Sequence, residues 1–357
     1  MKEPVKKSIL IDLDRLKDLN TGLGQVALFF GEELGKHVFD DIEITYLVPR
    51  NFKGRFGNNV KYESTSYLRR YFPFLCRRYD LWYTIHQDSW FFPSSRKTPY
   101  IITINDLNFL GEKSPRKAKS RLQRLQKKVD RASLITTISQ NSEMLIRQNL
   151  ELRDKPVKVI YCGVKVPECE NPPKPDYVPE GDLLFSVGVV QPKKNYEVLI
   201  GFMARMPENY KLIIAGNKSG EHSAELERKI RLAGLENRIL LPGLISDEDK
   251  CWLYRHCKAV LFPSRLEGMG FPPVEAMRYG KPVFASTFSS IPEVSEDKAY
   301  YWVNFDPTEM AAFFLEKIAE YEADPALPEI LRKHSLKFTW EHATAEYIDL
   351  FKKWLPK

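Results

Sequence analysis

Residues 259–277 read AVLFPSRLEGMGFPPVEAM. The first four, Ala259–Phe262, are wholly apolar and β-rich, as in a strand buried on both faces. A glycine-bearing loop follows, and Pro272 and Pro273 stand where the first turn of a helix tolerates proline. Strand, glycine loop and helix N-terminus are parts of an open α/β sheet, whose ligands gather beyond the carboxyl ends of the strands. Gly268 and Gly270 permit close approach of a ligand to main-chain N–H groups. An anion there gains from those donors and from the helix dipole. Glu275 falls at about the fourth helical position, placed to accept hydrogen bonds from vicinal sugar hydroxyls. Two glutamates eight apart, Glu267 and Glu275, also fit the acid and nucleophile of a glycosidase. The glycine-rich turn between them favours a phosphate ligand instead.

Outward from this segment, short apolar runs alternate with helix-length amphipathic stretches. Ser8–Leu13, Ile42–Val48, Leu81–His86, Tyr100–Ile104 and Leu134–Ile138 form one series of expected parallel strands. Leu183–Val189, Lys211–Ala215, Ile239–Leu241, Ala259–Phe262 and Pro282–Ala285 form a second. Between them Pro167–Asp182 carries five prolines and almost no apolar periodicity, a linker signal. The expectation is two doubly wound Rossmann-like domains facing a cleft, residues 1–168 and 183–338, joined by a linker at 169–182. A last helix within 339–357 (Trp340, Ala343, Tyr347, Leu350, Phe351, Trp354) is expected to cross back to the first domain.

The 357 residues exceed what one core usually serves, and the 43% hydrophobic and 28% charged content is that of an ordinary globular chain. No apolar run reaches membrane-helix length and no signal-peptide pattern opens the chain, so the expected location is the cytoplasm. Five scattered cysteines (Cys76, Cys162, Cys169, Cys251, Cys257) argue against a disulfide framework or a zinc site. The net charge of +7 is uneven: residues 1–170 hold 30 Lys and Arg against 20 Asp and Glu, so the first half is expected to meet something anionic. Nine Lys or Arg fall within Lys113–Arg131 in a helical register. The bland reading is a solvated basic face. The functional one is peripheral docking to an anionic membrane or a lipid-diphosphate acceptor.

The stretch Phe262–Pro292, with E-x7-E at Glu267 and Glu275, resembles the retaining glycosyltransferases of family 4, of GT-B fold. Further matches occur in order: Phe185–Gly188 through Pro192-Lys193-Lys194-Asn195, Ile213–Gly216, Pro242-Gly243, Leu253-Tyr254 and Ile291–Val294. The resemblance implies that Lys194, helped by Lys193, holds a donor diphosphate, where a point charge meets growing negative charge. It implies that Glu275 binds the nucleotide ribose, and that Glu267 with the backbone of Gly268, Met269, Gly270 and Phe271 meets the donor sugar and phosphates.

In the first half, Thr21-Gly22-Leu23-Gly24 opens a helix after the first strand. As a bare G-x-G it is a weak dinucleotide hint. The resemblance makes Gly24 part of a loop facing the donor phosphate. Asp12-Leu13-Asp14 has the DxD form of metal-dependent transferases but lies too early for that role, and is read as a strand end and loop carboxylate. Asn105, in Thr103–Leu107, stands where the family usually has a histidine that contacts the transferred sugar. His86, ending a strand at the same edge, aligns with a cleft histidine of many relatives. Ser139 reads as an N-cap with Glu143 nearby, and needs no further role.

The expected function is therefore transfer of a hexosyl unit from a UDP- or GDP-linked sugar to a glycan or lipid-linked hydroxyl, with retention, no metal and no cofactor. Cell-surface polysaccharide assembly is the common family use, and no nucleic acid is expected as partner. The rivals are a sugar-nucleotide epimerase, a nicotinamide oxidoreductase lacking its full glycine fingerprint, a two-domain binding protein, and an inactive relative that binds nucleotide only.

Overall fold

A computed structural model describes residues 6–19, 21–72, 77–218 and 220–356, so Cys76 lies outside the described residues. The chain divides into two compact units, Met1–Gly163 with Phe338–Lys357, and Val164–Lys337.

The first unit holds a seven-stranded sheet of β1 (Lys7–Asp12), β2 (Ile42–Val48), β3 (Lys61–Ser64), β4 (Leu81–Thr84), β5 (Tyr100–Thr103), β6 (Leu134–Thr137) and β7 (Val157–Val159). The order is β3-β2-β1-β4-β5-β6-β7, and every recorded pairing is parallel. The second unit holds β8 (Asp182–Val187), β9 (Tyr210–Ala215), β10 (Ile239–Gly243), β11 (Ala259–Phe262), β12 (Val283–Ser286) and β13 (Tyr300–Trp302), ordered β10-β9-β8-β11-β12-β13 and likewise parallel. Each order reverses once, between β1 and β4 and between β8 and β11. The crevices for ligands therefore open at the carboxyl ends of those pairs.

The central strands β4, β5, β6, β11 and β12 are buried at every residue, because helices cover both faces of such sheets. β3, β7 and β13 were not anticipated. All three are edge strands of only three or four residues; β3 and β7 also carry polar, part-exposed side chains and lack an apolar run, whereas β13 (Tyr300-Tyr301-Trp302) is apolar but short. Two expected strands end two residues early for local reasons. β4 stops at Thr84 because the chain turns so that the Asp88 N–H reaches His86 Nδ1 at 2.9 Å. β8 stops at Val187 because Gly188 takes a φ of 149°, where a Cβ would lie 3.1 Å from Lys194 Cε.

The helix Trp340–Trp354 belongs to the first unit. Its apolar recurrence at threes and fours seats Tyr347 against Phe30 and Tyr83, at ring separations of 5.2 and 5.0 Å. Gly163 lies so close beneath Trp340 that a Cβ there would meet its backbone nitrogen at 2.4 Å. No helix among the described residues is long and apolar enough to cross a membrane.

Candidate functional site

In the second unit, the loops leaving the neighbouring strands β8 and β11 are stitched together. The first contains a 3-10 turn, Pro192–Lys194, closed by Asn195 in the left-handed region at φ 56°. Asparagine tolerates that conformation, and its amide donates to the Pro263 carbonyl at 3.3 Å. The Lys193 carbonyl in turn accepts from Arg265 N at 2.7 Å. Lysine and glutamate loops thus hold a fixed spacing.

Across that spacing Lys194 Nζ meets Glu267 Oε1 at 2.6 Å, and the two side chains are only 11% and 12% exposed. The Ser264 hydroxyl donates to the same carboxylate oxygen. The Lys194 ammonium also lies 5.0 Å from the centre of the Phe262 ring. The Glu267 backbone is clamped by Ser289, whose hydroxyl accepts from Glu267 N at 3.0 Å and donates to Glu267 O at 2.6 Å. Ser289 holds a φ of 61°, unusual for a residue with a Cβ. Lys193 is half-buried beside this pair. A solvated helix start does not describe Lys194.

After Glu267 come Gly268, the buried Met269, and Gly270 at φ 84°, which caps the helix Phe271–Arg278. Pro272 and Pro273 contribute no N–H, which leaves the main-chain N–H groups of Met269, Gly270 and Phe271 as the donors at this mouth. Glu275, the fifth helical residue, is buried. One carboxylate oxygen accepts from Lys250 at 2.8 Å and the other from the Tyr254 hydroxyl at 2.6 Å. Lys250 and Tyr254 lie one turn apart on the helix Asp247–His256, so one helix face supplies both partners. Burial, followed by the Glu275 charge, raises the Tyr254 phenol well above its ordinary pKa, so it stays a donor.

In the first unit, Asp12 ends β1 and is fully buried, accepting from Asp14 N at 3.0 Å and from the Ser89 hydroxyl. Burial, then the neighbouring Asp14 carboxylate, raises its pKa to about 7. The nearby Lys128 ammonium donates to the carbonyls of Gln87 and Ser89, and burial lowers its pKa to about 8. His86 Nδ1 accepts from Asp88 N at 2.9 Å and from Arg15 Nε at 3.3 Å. Burial, then the Arg15 and Lys128 charges, keeps this imidazole well below its ordinary pKa. The ring is neutral, with its proton on Nε2.

Two residues sit differently from the expectation. Gly24 is the third residue of the helix Gly22–Gly35, and its N–H is already bound by the Thr21 cap at 3.1 Å. Its need for glycine is steric, since a Cβ would lie 2.2 Å from the Asp18 carbonyl oxygen. Asn105 is 1% exposed, and its amide nitrogen is spent on the Ile85 carbonyl at 3.2 Å and Gln87 Oε1 at 3.4 Å. Its Oδ1 is buried without a partner. Ser139 caps the helix Gln140–Asn149, accepting from Ser142 N at 3.1 Å.

Lys250, Ser264, Ser289 and Ser89 received no role from the sequence, and Lys128 only that of one charge on a basic helix face. Ser264, three residues before Glu267 in the same turn, was open to inspection. The others reach their partners only through the order of the strands.

Residues 170–338 match the family described as Glycosyl transferases group 1. A serotype-specific mannosyltransferase WbdA of Escherichia coli is 32% identical over 197 residues, which is 51% of this chain and 23% of that protein. The O-antigen chain mannosyltransferase B of Escherichia coli is 29% identical over 174 residues, 46% of this chain and 44% of that protein. The chain thus spans less than half the length of these relatives. Among solved structures, a sucrose-phosphate synthase from Thermosynechococcus elongatus covers 98% of this chain and 99% of its own at TM-score 0.73 and 17% identity. Anabaena Alr3699/HepE in complex with UDP and glucose covers 97% and 100% at TM-score 0.72 and 19% identity. The fold is GT-B.

Proposed function

We propose that this protein, whose residues 170–338 match the family described as Glycosyl transferases group 1, moves a hexosyl unit from a UDP- or GDP-linked sugar to a hydroxyl. The acceptor is a glycan or a lipid-linked glycan in polysaccharide assembly, and the reaction retains configuration without a metal. Mannose is the first sugar to test, because the two curated relatives above are named mannosyltransferases.

The observation that carries the reading is the set of groups at the β8/β11 crevice: one buried lysine, N–H donors at a glycine-capped helix mouth, and two held carboxylates. Lys194 takes the donor diphosphate and stabilises its growing charge as the bond to the sugar breaks. Met269, Gly270 and Phe271 offer N–H groups to the same oxygens. Glu275 accepts from the ribose hydroxyls as they displace Lys250, while Tyr254 holds the carboxylate in place. Glu267 is released from Lys194 when the diphosphate arrives, and becomes free to accept from a sugar hydroxyl. The acceptor hydroxyl attacks from the face the diphosphate leaves, and the leaving phosphate takes its proton.

A second reading, nucleotide binding without turnover, is favoured by Asn105, whose amide nitrogen is already committed within the first unit. One experiment separates the two. The chain in EDTA is incubated with GDP-mannose or UDP-glucose, and slow donor hydrolysis is followed by proton NMR. Release of the α-anomer first supports retaining transfer. Nucleotide binding with no hydrolysis or transfer supports the second reading.

A further inference from the structure

A groove of about 1060 Å³ runs along one face of the helix Pro115–Arg131, entirely within the first unit, and the 87–92 segment walls it opposite. Nine cationic side chains line it against one carboxylate, Asp88. The cations fall into two sets. Arg15, Arg121, Lys128 and Arg131 hold the wall together: Arg121 bonds Asp88, Arg131 bonds the Pro93 carbonyl, and Arg15 pairs with Asp18 at 3.1 Å. Lys113, Arg116, Lys117, Arg124 and Lys127 are exposed and, among the described residues, form no ion pair.

Five unpaired like charges on one groove repel one another, a cost that a bound anion would offset. The apolar part of the lining lies in the same place. Trp90 is 49% exposed at the groove, and Phe92 and Phe109 form its wall beneath the Arg131 and Arg121 guanidinium groups, at 4.8 and 4.6 Å. An exposed indole beside a cluster of cations matches the boundary between headgroup and acyl chain, where tryptophan and basic residues both settle. The concave shape suits a compact head more than the extended backbone of a nucleic acid.

We propose that this groove seats the phosphate-bearing head of an anionic membrane lipid, with Trp90 at the level where the acyl chains begin. Arg116, Lys117 and Arg124 take the phosphate, and the paired set keeps the wall in shape. The inference does not depend on the transferase reading, since the groove and the β8/β11 crevice lie in different units.

The test is co-sedimentation of the full chain with phosphatidylcholine vesicles, with and without phosphatidylglycerol. The expected result is binding that requires phosphatidylglycerol and weakens about fivefold for each basic residue removed, so about 25-fold in Arg116→Gln/Lys117→Gln. Both residues are exposed and unpaired, and the variant should melt and bind nucleotide as the parent does. A blue shift of tryptophan emission on vesicle binding should shrink in Trp90→Phe. Equal binding by the double variant, or equal binding to neutral vesicles, would overturn the proposal. So would capture of inorganic pyrophosphate or a short RNA with no vesicle binding.

Discussion

Replacing Lys194 by methionine and Glu267 by glutamine, singly and together, reads both the stability and the chemistry of the buried pair. The 2.6 Å contact and exposures of 11% and 12% place it nearly in the interior. Removing one partner from such a pair costs about 3–5 kcal/mol, because the other charge stays buried. The remaining solvent access and the Ser264 hydroxyl keep Lys194→Met at the lower end, about 3 kcal/mol. For a unit of this size that lowers the melting temperature by about 6–12 °C. Glu267→Gln keeps its shape and leaves Lys194 over the Phe262 ring, so it costs less, about 1–2 kcal/mol. The double variant should resemble Glu267→Gln rather than the sum, a coupling of about 3 kcal/mol. Binding should move the opposite way for the two single changes. Lys194→Met loses a charge-assisted hydrogen bond to the diphosphate, about 1.5–3 kcal/mol or tenfold to 150-fold in Kd. Glu267→Gln removes the carboxylate that competes for Lys194, so nucleoside diphosphate affinity holds or rises while turnover falls. Thermal melts and calorimetric titration with UDP and GDP give both quantities. Equal weakening of nucleotide binding by the two single variants would refute the competition between carboxylate and diphosphate.

Asp12 carries a folded-state pKa of about 7, above its unfolded value. Stability from its protonated form is full below about pH 4 and is lost as pH rises through 7, at most about 4 kcal/mol. Asp12→Asn should therefore gain on the parent in melts at pH 8 and lose that gain at pH 4; a constant difference would count against a protonated Asp12. Gly24→Ala should cost about 1–3 kcal/mol in chemical denaturation, since the added carbon meets the Asp18 carbonyl; an unchanged midpoint would contradict the packing account. Tyr254→Phe should cost about 1–2 kcal/mol in stability by leaving a Glu275 oxygen with one donor fewer, and a neutral result in melts would mean that the bond contributes nothing.

Legibility followed burial. Ala259–Phe262 and Ile42–Val48 were readable to the residue from their largely apolar runs, whereas the edge strands β3 and β7 carry polar, part-exposed side chains, and the apolar β13 spans only three residues. The Lys194 and Glu267 motifs were each visible. Their ion pair was not, because it joins residues 73 apart and depends on β8 lying next to β11. Lys250 and Tyr254 share a helix face that the four-residue spacing gives away, yet the carboxylate they hold belongs to another helix. Asp12 shows the opposite limit. An alternating Ile-Asp-Leu-Asp suits a solvated strand end as well as a buried one, and only packing against Ser89 and Lys128 decides between them. Gly24 and Asn105 were visible as residue types in fitting places. Their neighbours Thr21 and Gln87 use the very groups that a ligand was expected to meet.

The central claim is that a nucleoside diphosphate binds at the β8/β11 crevice with its ribose on Glu275. The most direct test is calorimetric titration of the parent chain and of Glu275→Ala with UDP, GDP and NAD in EDTA. The account predicts that UDP or GDP binds the parent and that Glu275→Ala weakens it by about tenfold or more, as expected for loss of hydrogen bonds to a charged acceptor. Binding of NAD alone, no nucleotide binding by a folded parent, or a folded Glu275→Ala with unchanged affinity would contradict it.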